Sequence, residues 1–110
     1  MALDERDRHE EAFDRFREQV MDRFGDRVEK LILFGSVARG DHGEDSDVDV
    51  LIVVDDKSVK QDIVGIAFDI MLATDIYISP KVISTDQLAR MERMNGSLLD
   101  SIQEEMKVYG

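Results

Sequence analysis

The chemistry-bearing part of this chain is residues 31–56, LILFGSVARGDHGEDSDVDVLIVVDD, where one apolar run ends in Gly35-Ser36 and the next opens with Asp47-Val48-Asp49. Ten residues separate Ser36 from Asp47. Alternate side chains of a strand share a face, so Asp47 and Asp49 project together, about 6.5–7 Å apart along the backbone, and both carboxylates can converge on a metal ion. Val48 and Val50 point the other way, into a core, which holds the register and steadies the acidic pair. Adjacent carboxylates repel unless a cation relieves them. Hard oxygen donors suit Mg²⁺, which fills its remaining positions with water and substrate phosphate. Gly35 leaves room for backbone amides to approach a phosphate. Ser36, at the start of a helical turn through Ala38, adds a hydroxyl and the favourable end of the helix dipole. Together these groups suit phosphoryl transfer from a nucleoside triphosphate, with two ions about 3.5–4 Å apart stabilising the attacking and leaving oxygens.

The elements that must hold these groups can be read from periodicity. Phe13, Phe16, Val20 and Phe24 recur at helical spacing among charged residues over 3–24, and Gly25 supplies the stop. Residues 28–34 predict a strand running into the Gly35-Ser36 turn, and 39–46, with Gly40 and Gly43, an exposed connection. The run 47–54 predicts a largely buried strand that Asp55 and Asp56 end. Val59, Ile63, Ile66, Ala67, Ile70 and Met71 predict a helix over 58–73 with Ser58 as N-cap. Alternation resumes over 75–84, and Pro80 there implies an edge strand or a bulge. Thr85 opens a short helix to about Met94. After Asn95-Gly96, Ser97 opens another bearing Leu98, Leu99, Ile102 and Met106, whose apolar side covers a core more readily than a partner. The expected architecture is α/β (α+β): one domain over 1–110, a small mixed sheet flanked by helices.

Composition bounds the partners. With 43% apolar residues among 110, the chain can build one packed core. No stretch approaches the ~20 uncharged apolar residues of a membrane helix, so a cytoplasmic location without membrane contact is expected. The absence of cysteine excludes disulfides, thiolate zinc sites and cysteine nucleophiles. His9 and His42 form no cluster along the sequence, and His42 has no visible partner. A net charge of -11 repels a phosphate backbone, so direct nucleic-acid binding is disfavoured and any phosphate must be carried by metal. Sixteen Asp against nine Glu, with five Lys, suits a salt-rich cytoplasm of halophilic character, although many small domains are simply acidic.

Each motif has a plainer reading. Gly-Ser after a strand is commonly only a turn, and Asp-x-Asp at a strand start commonly a solvated edge. Joined by a Gly-rich connection and attached at both ends to buried strands, they exceed what an acidic surface produces by chance.

The pattern Gly35-Ser36, ten residues, then Asp47-Val48-Asp49 resembles the DNA polymerase beta-type nucleotidyltransferases, specifically their minimal prokaryotic and archaeal members. Phe34 before the turn, Ala38-Arg39-Gly40 after it and Ser46 before the first acid also look like that family. The resemblance implies the polymerase beta-type fold. It implies two divalent ions, Mg²⁺ here, on Asp47 and Asp49, triphosphate on Gly35 and Ser36, and transfer of a nucleoside monophosphate, AMP from ATP, to an acceptor hydroxyl. It further implies the antitoxin half of a two-gene module whose partner is an all-helical HEPN ribonuclease, neutralised by binding or by adenylylation of a tyrosine. The family usually carries a third carboxylate on the next strand. Here Ser79 stands at that position, and Asp75, the nearest acid, lies about 13 Å earlier along the strand, where a turn residue is an equal reading. Arg39 is a secondary phosphate contact, and Tyr77 and Tyr109 are candidate acceptors or partner contacts. Two rivals remain open: a catalytically weak or inactive protein-binding module of the same fold, and an RNA-associated domain that the charge disfavours.

Overall fold

The computed structural model describes residues 7–94 and 107–108, and within them the elements follow the hydrophobic periodicity closely. Helix α1 (Arg8–Phe24) buries Ala12, Phe13, Phe16 and Val20, the stripe expected of a helix laid on a sheet. It begins at Arg8 because Asp7 is the N-cap, its carboxylate accepting the His9 amide at 2.7 Å. A 3₁₀ turn leads to β1 (Val28–Phe34), which ends on a five-residue helix, α2 (Gly35–Arg39). Strand β2 (Val48–Val54), helix α3 (Lys60–Thr74), strand β3 (Ile78–Ser84), helix α4 (Thr85–Arg93) and the two-residue β4 (Lys107–Val108) follow.

The strands form one mixed sheet of order β3-β2-β1-β4. β1 and β2 are antiparallel, with Phe34 opposite Asp49. β2 and β3 are parallel, with Asp49 opposite Ser79. The β2–α3–β3 segment is therefore a crossover unit, which a parallel pair requires. Val48, Val50, Ile52 and Val54 face α1 and α3 in the main core. Leu51 and Val53 join Ile32 on the opposite face, against Phe34, Ile83 and Leu88. Burial on both faces explains the continuous apolar run of β2.

Several expected boundaries move. The β2 strand starts at Val48, leaving Asp47 on the last residue of the connection. Ser58 does not cap α3: Asp56 accepts the Ser58 amide at 2.9 Å and caps a 3₁₀ turn, Lys57–Val59, that leads into the helix. β3 starts at Ile78, because Asp75 closes α3 in a left-handed conformation, φ 65°, and breaks the alternation. Pro80 sits in the edge strand β3, where a missing donor is tolerated. The Ser84–Gln87 capping box that opens α4 follows the Ser-x-x-Gln pattern. The helix expected over 97–106 lies outside the described residues, as does Tyr109. Among the described residues no helix is long and apolar enough to cross a membrane.

Candidate active site

The site lies at one end of the sheet, where β1 finishes and β2 and β3 begin. Phe34 ends β1 opposite Asp49, so the chain leaving β1 must turn beside that carboxylate. Gly35 makes the turn with φ 79°, and a methyl group in place of its hydrogen would run into the Asp49 carboxylate. Both facts demand glycine: the left-handed backbone and the carboxylate in van der Waals contact with its Cα. Helix α2 opens at this point, with Phe34 as an N-cap that supplies no side-chain hydrogen bond to its first amides. At its far end Gly40, φ 83°, donates to the Ser36 and Val37 carbonyls at 2.9 and 3.2 Å, closing the helix in the left-handed geometry usual for a C-terminal glycine.

The structure brings Gly35, Ser36 and Asp49 together, with Asp47 two residues upstream of Asp49 at the mouth of the site. Asp49 is half-buried and Asp47 exposed. Val48 hydrogen-bonds through its amide to the Tyr77 carbonyl at 3.0 Å, pinning the start of β2 to the residue before β3. Ser79 pairs directly with Asp49, and parallel partners share a face, so the hydroxyl occupies the neighbouring position on β3. Asp75 is not on the strand; it caps α3 and lines, with Arg8, Asp47 and Tyr77, an open cleft of about 350 Å³. Arg39 is exposed, and its Nε donates to both Asp41 carboxylate oxygens at 3.2 and 3.3 Å.

The donors fit a hard divalent cation. Asp49 offers carboxylate oxygens beside a turn whose missing Cβ makes room for them, and Asp47, two residues earlier, lines a cleft to which Glu44, Asp45 and Asp75 add negative charge. Arg8 is a cation on this cleft that spacing could not reveal. It is 39 residues before Asp47 and is held by a hydrogen bond from its guanidinium to the Thr74 carbonyl at 2.8 Å.

The connection 40–46 is better anchored than its composition suggests. His42 Nε2 lies 2.6 Å from Asp7 Oδ2, and His9 Nε2 lies 3.0 Å from the Ser46 carbonyl. The two rings stand 4.8 Å apart. This overturns the expectation that the histidines form no cluster and that His42 lacks a partner: 32 intervening residues hid a contact that only folding makes. Burial pushes the Asp7 carboxyl upward, but the His9 amide and the His42 ring outweigh it and hold the carboxyl below the usual carboxylate range. A depressed native value stabilises the fold above the ordinary value of 3.8, and that stabilisation fades as pH falls through the lower native value. Asp7→Ala, which loses both the helix cap and the His42 contact, should cost about 1–3 kcal/mol in urea unfolding at neutral pH, whereas Asp7→Asn keeps the cap and should cost less. Equal losses in the two variants would show that the Asp7 cap contributes nothing measurable.

A mixed sheet with a Gly-Ser turn and paired aspartates at one end has the architecture of a nucleotidyltransferase. The same fold occurs in a crystal structure described as a toxin-antitoxin with AMP-PNP, with a TM-score of 0.56, 16% identity, and coverage of 86% of this chain and 71% of that one. A mutant of the toxin-antitoxin MntA-HpeT gives a TM-score of 0.54 at 16% identity, covering 86% and 68%. At such identities the likeness is one of fold. The family itself is shown by sequence: residues 13–106 match the Nucleotidyltransferase domain, and the chain belongs to that family. The Methanocaldococcus jannaschii protein MJ0141, described as a protein adenylyltransferase, is 40% identical over 74% of this chain and 90% of its own length. MJ0604 of the same organism, described likewise, is 48% identical over 42% of this chain and 46% of its own.

Proposed function

We propose that this chain transfers AMP from ATP to a hydroxyl on a partner protein, and that the partner is a toxin of the HEPN class. One observation carries the chemical reading: the Asp49 carboxylate rests against the Gly35 Cα, so metal ligand and phosphate turn share one point at the end of the sheet. MJ0141 supports protein as the acceptor class, and the toxin-antitoxin with AMP-PNP supports both an adenine nucleotide and a toxin partner.

In this reading Asp47 and Asp49 hold Mg²⁺, which when bound supplies charge neutralisation at the triphosphate and the leaving group. The amides at the start of α2 and the Ser36 hydroxyl bind phosphate oxygens and set the α-phosphorus in line with the acceptor. The acceptor oxygen bonds to that phosphorus as its bond to pyrophosphate breaks. Arg8 lines the cleft with Asp47 and Asp75 and is an additional cation for phosphate, and Arg39, at the end of α2, is a second candidate. Because Ser79 stands beside Asp49, β3 offers no carboxylate there to take the hydroxyl proton. That observation also favours the second reading, a protein-binding module with weak or absent transfer.

The deciding experiment incubates the chain and a HEPN partner with α-labelled ATP and Mg²⁺. Label on a partner tyrosine that disappears in Asp47→Asn supports the transferase. A tight complex of the two proteins that forms without label moves the chain to the binding module. Ser79→Asp should raise transfer by about 10²-fold if the missing base limits the rate. In the absence of Mg²⁺ it should lower stability by up to about 1 kcal/mol, because like charges then stand side by side on adjacent strands. A variant no faster than the parent would show that the proton is removed elsewhere.

A further inference from the structure

We propose that Asp7, His9 and His42 form a second metal centre, separate from Asp47 and Asp49, that takes a divalent transition ion of the Zn²⁺ type. One ligand atom from each residue lies within 4.8 Å of the others. The hydrogen bonds show why a cation belongs there. His9 Nε2 faces the Ser46 carbonyl, which can only accept, so Nε2 carries a proton and Nδ1 is the ring nitrogen left to face a metal. Nδ1 lies 3.4 Å from Asp7 Oδ1. On the other side of the carboxylate, His42 Nε2 meets Asp7 Oδ2 at 2.6 Å. A single ion can draw one ligand atom from each of the three groups.

One ligand separation already matches a tetrahedral site, and the others lie within 4.8 Å. Bonds of about 2.0–2.1 Å at tetrahedral angles place neighbouring ligand atoms about 3.3–3.4 Å apart, the separation found between His9 and Asp7. The His42 contact, now hydrogen-bond length, opens by about 0.7 Å as the ion replaces the shared proton, which leaves to solvent. Two imidazole nitrogens and one carboxylate select Zn²⁺, Co²⁺ or Ni²⁺ over Mg²⁺, which prefers oxygen. The Ser46 carbonyl plays the outer-shell part: by accepting from Nε2–H it fixes the His9 tautomer and aims Nδ1 at the site. Both imidazole side chains are more than nine-tenths buried, 7% and 8% exposed. The cluster nonetheless opens on a cavity of about 320 Å³ bordered by Arg8, Gly43 and Glu44, which gives the ion an entry path and leaves a fourth position for water.

The placement gives the centre a role. Asp7 and His9 belong to the first turn of α1, His42 to the connection 40–46, and Ser46 immediately precedes Asp47. A bound ion ties that connection to α1 and so holds the backbone that presents Asp47.

The test is calorimetric titration of Zn²⁺ into the chelator-treated full chain, with Co²⁺ absorption as a second readout and folding followed by circular dichroism. Wild type should bind one equivalent, and Asp47→Asn/Asp49→Asn should bind it with unchanged affinity, since those acids are not ligands. His42→Gln and Asp7→Asn, each able to keep its local hydrogen bonds, should bind at least about ten-fold more weakly and lose the tetrahedral Co²⁺ band. Absence of stoichiometric binding by folded wild type overturns the proposal. So does binding that survives in His42→Gln and Asp7→Asn, or that vanishes in the double variant at Asp47 and Asp49. None of these outcomes depends on nucleotide transfer.

Discussion

Replacing Gly35 with alanine is expected to abolish Mg²⁺-dependent ATP binding, weakening it by more than about 100-fold, because the added methyl group and the Asp49 carboxylate cannot occupy the same space. Two costs combine. The left-handed backbone at φ 79° costs an L-residue about 1–2 kcal/mol, and displacing a half-buried carboxylate from a packed strand end costs about 1–3 kcal/mol more. Gly40→Ala provides the control. Its φ of 83° imposes the same backbone strain, yet a Cβ there meets nothing within 4 Å. Gly40→Ala should therefore lose only the 1–2 kcal/mol of stability, roughly, while keeping nucleotide affinity. Calorimetric titration of ATP with Mg²⁺ into both variants separates strain from collision. Wild-type affinity in folded Gly35→Ala would falsify the assignment of the Gly35 turn to phosphate.

Asp47→Asn and Asp49→Asn are each expected to reduce AMP transfer by about 10³-fold or more. Removing a metal ligand forfeits several kcal/mol of charge stabilisation in the transition state, and about 4 kcal/mol corresponds to that factor. Stability should move the other way. Amide and carboxylate are nearly the same size, so the contact with Gly35 survives. Asp47→Asn also removes a negative charge from a cleft that holds Glu44, Asp45 and Asp75 as well, and Asp49→Asn removes one two residues along the chain from Asp47. In the absence of Mg²⁺ both variants should melt at or above the wild-type temperature, and added Mg²⁺ should stabilise wild type alone. The two positions differ in detail. Asp49 is half-buried in β2 and bound to the register of the sheet, whereas Asp47 sits on the connection outside it. Asp47→Asn should therefore be the more easily rescued by raised Mg²⁺. Full transfer activity in either variant, measured with α-labelled ATP, would remove that residue from the metal site.

Much of this arrangement was legible before folding was considered. The period-2 and period-3.6 patterns located β1 to the residue and α1, α3 and α4 to within a few residues, because burial of one face leaves a trace in every turn of the chain. Gly35-Ser36 and Asp47-Val48-Asp49 stood out because special backbone geometry and paired charge each restrict residue type. Pro80 announced an edge strand or a bulge for the same reason: a residue without a donor has few places in a sheet.

Other features belonged to the tertiary structure alone. Periodicity places residues on faces but does not say which strands are neighbours, so the order β3-β2-β1-β4, and with it the pairing of Asp49 with Ser79, required the packed sheet. Asp75 fits an alternating pattern by sequence, yet the closing turn of α3 holds it off the strand. Arg8 and His9 reach the cleft of Asp47, and Asp7 and His9 meet His42, only because α1 packs on the sheet. Residues brought together from 33 to 39 positions apart leave no local signal, since no backbone period links them. The amino-acid sequence thus determined the elements, the Gly35-Ser36 turn and the acidic pair, through burial and backbone sterics. The meeting of α1 with the Gly-rich connection, and the neighbours that each carboxylate acquires there, followed from long-range packing.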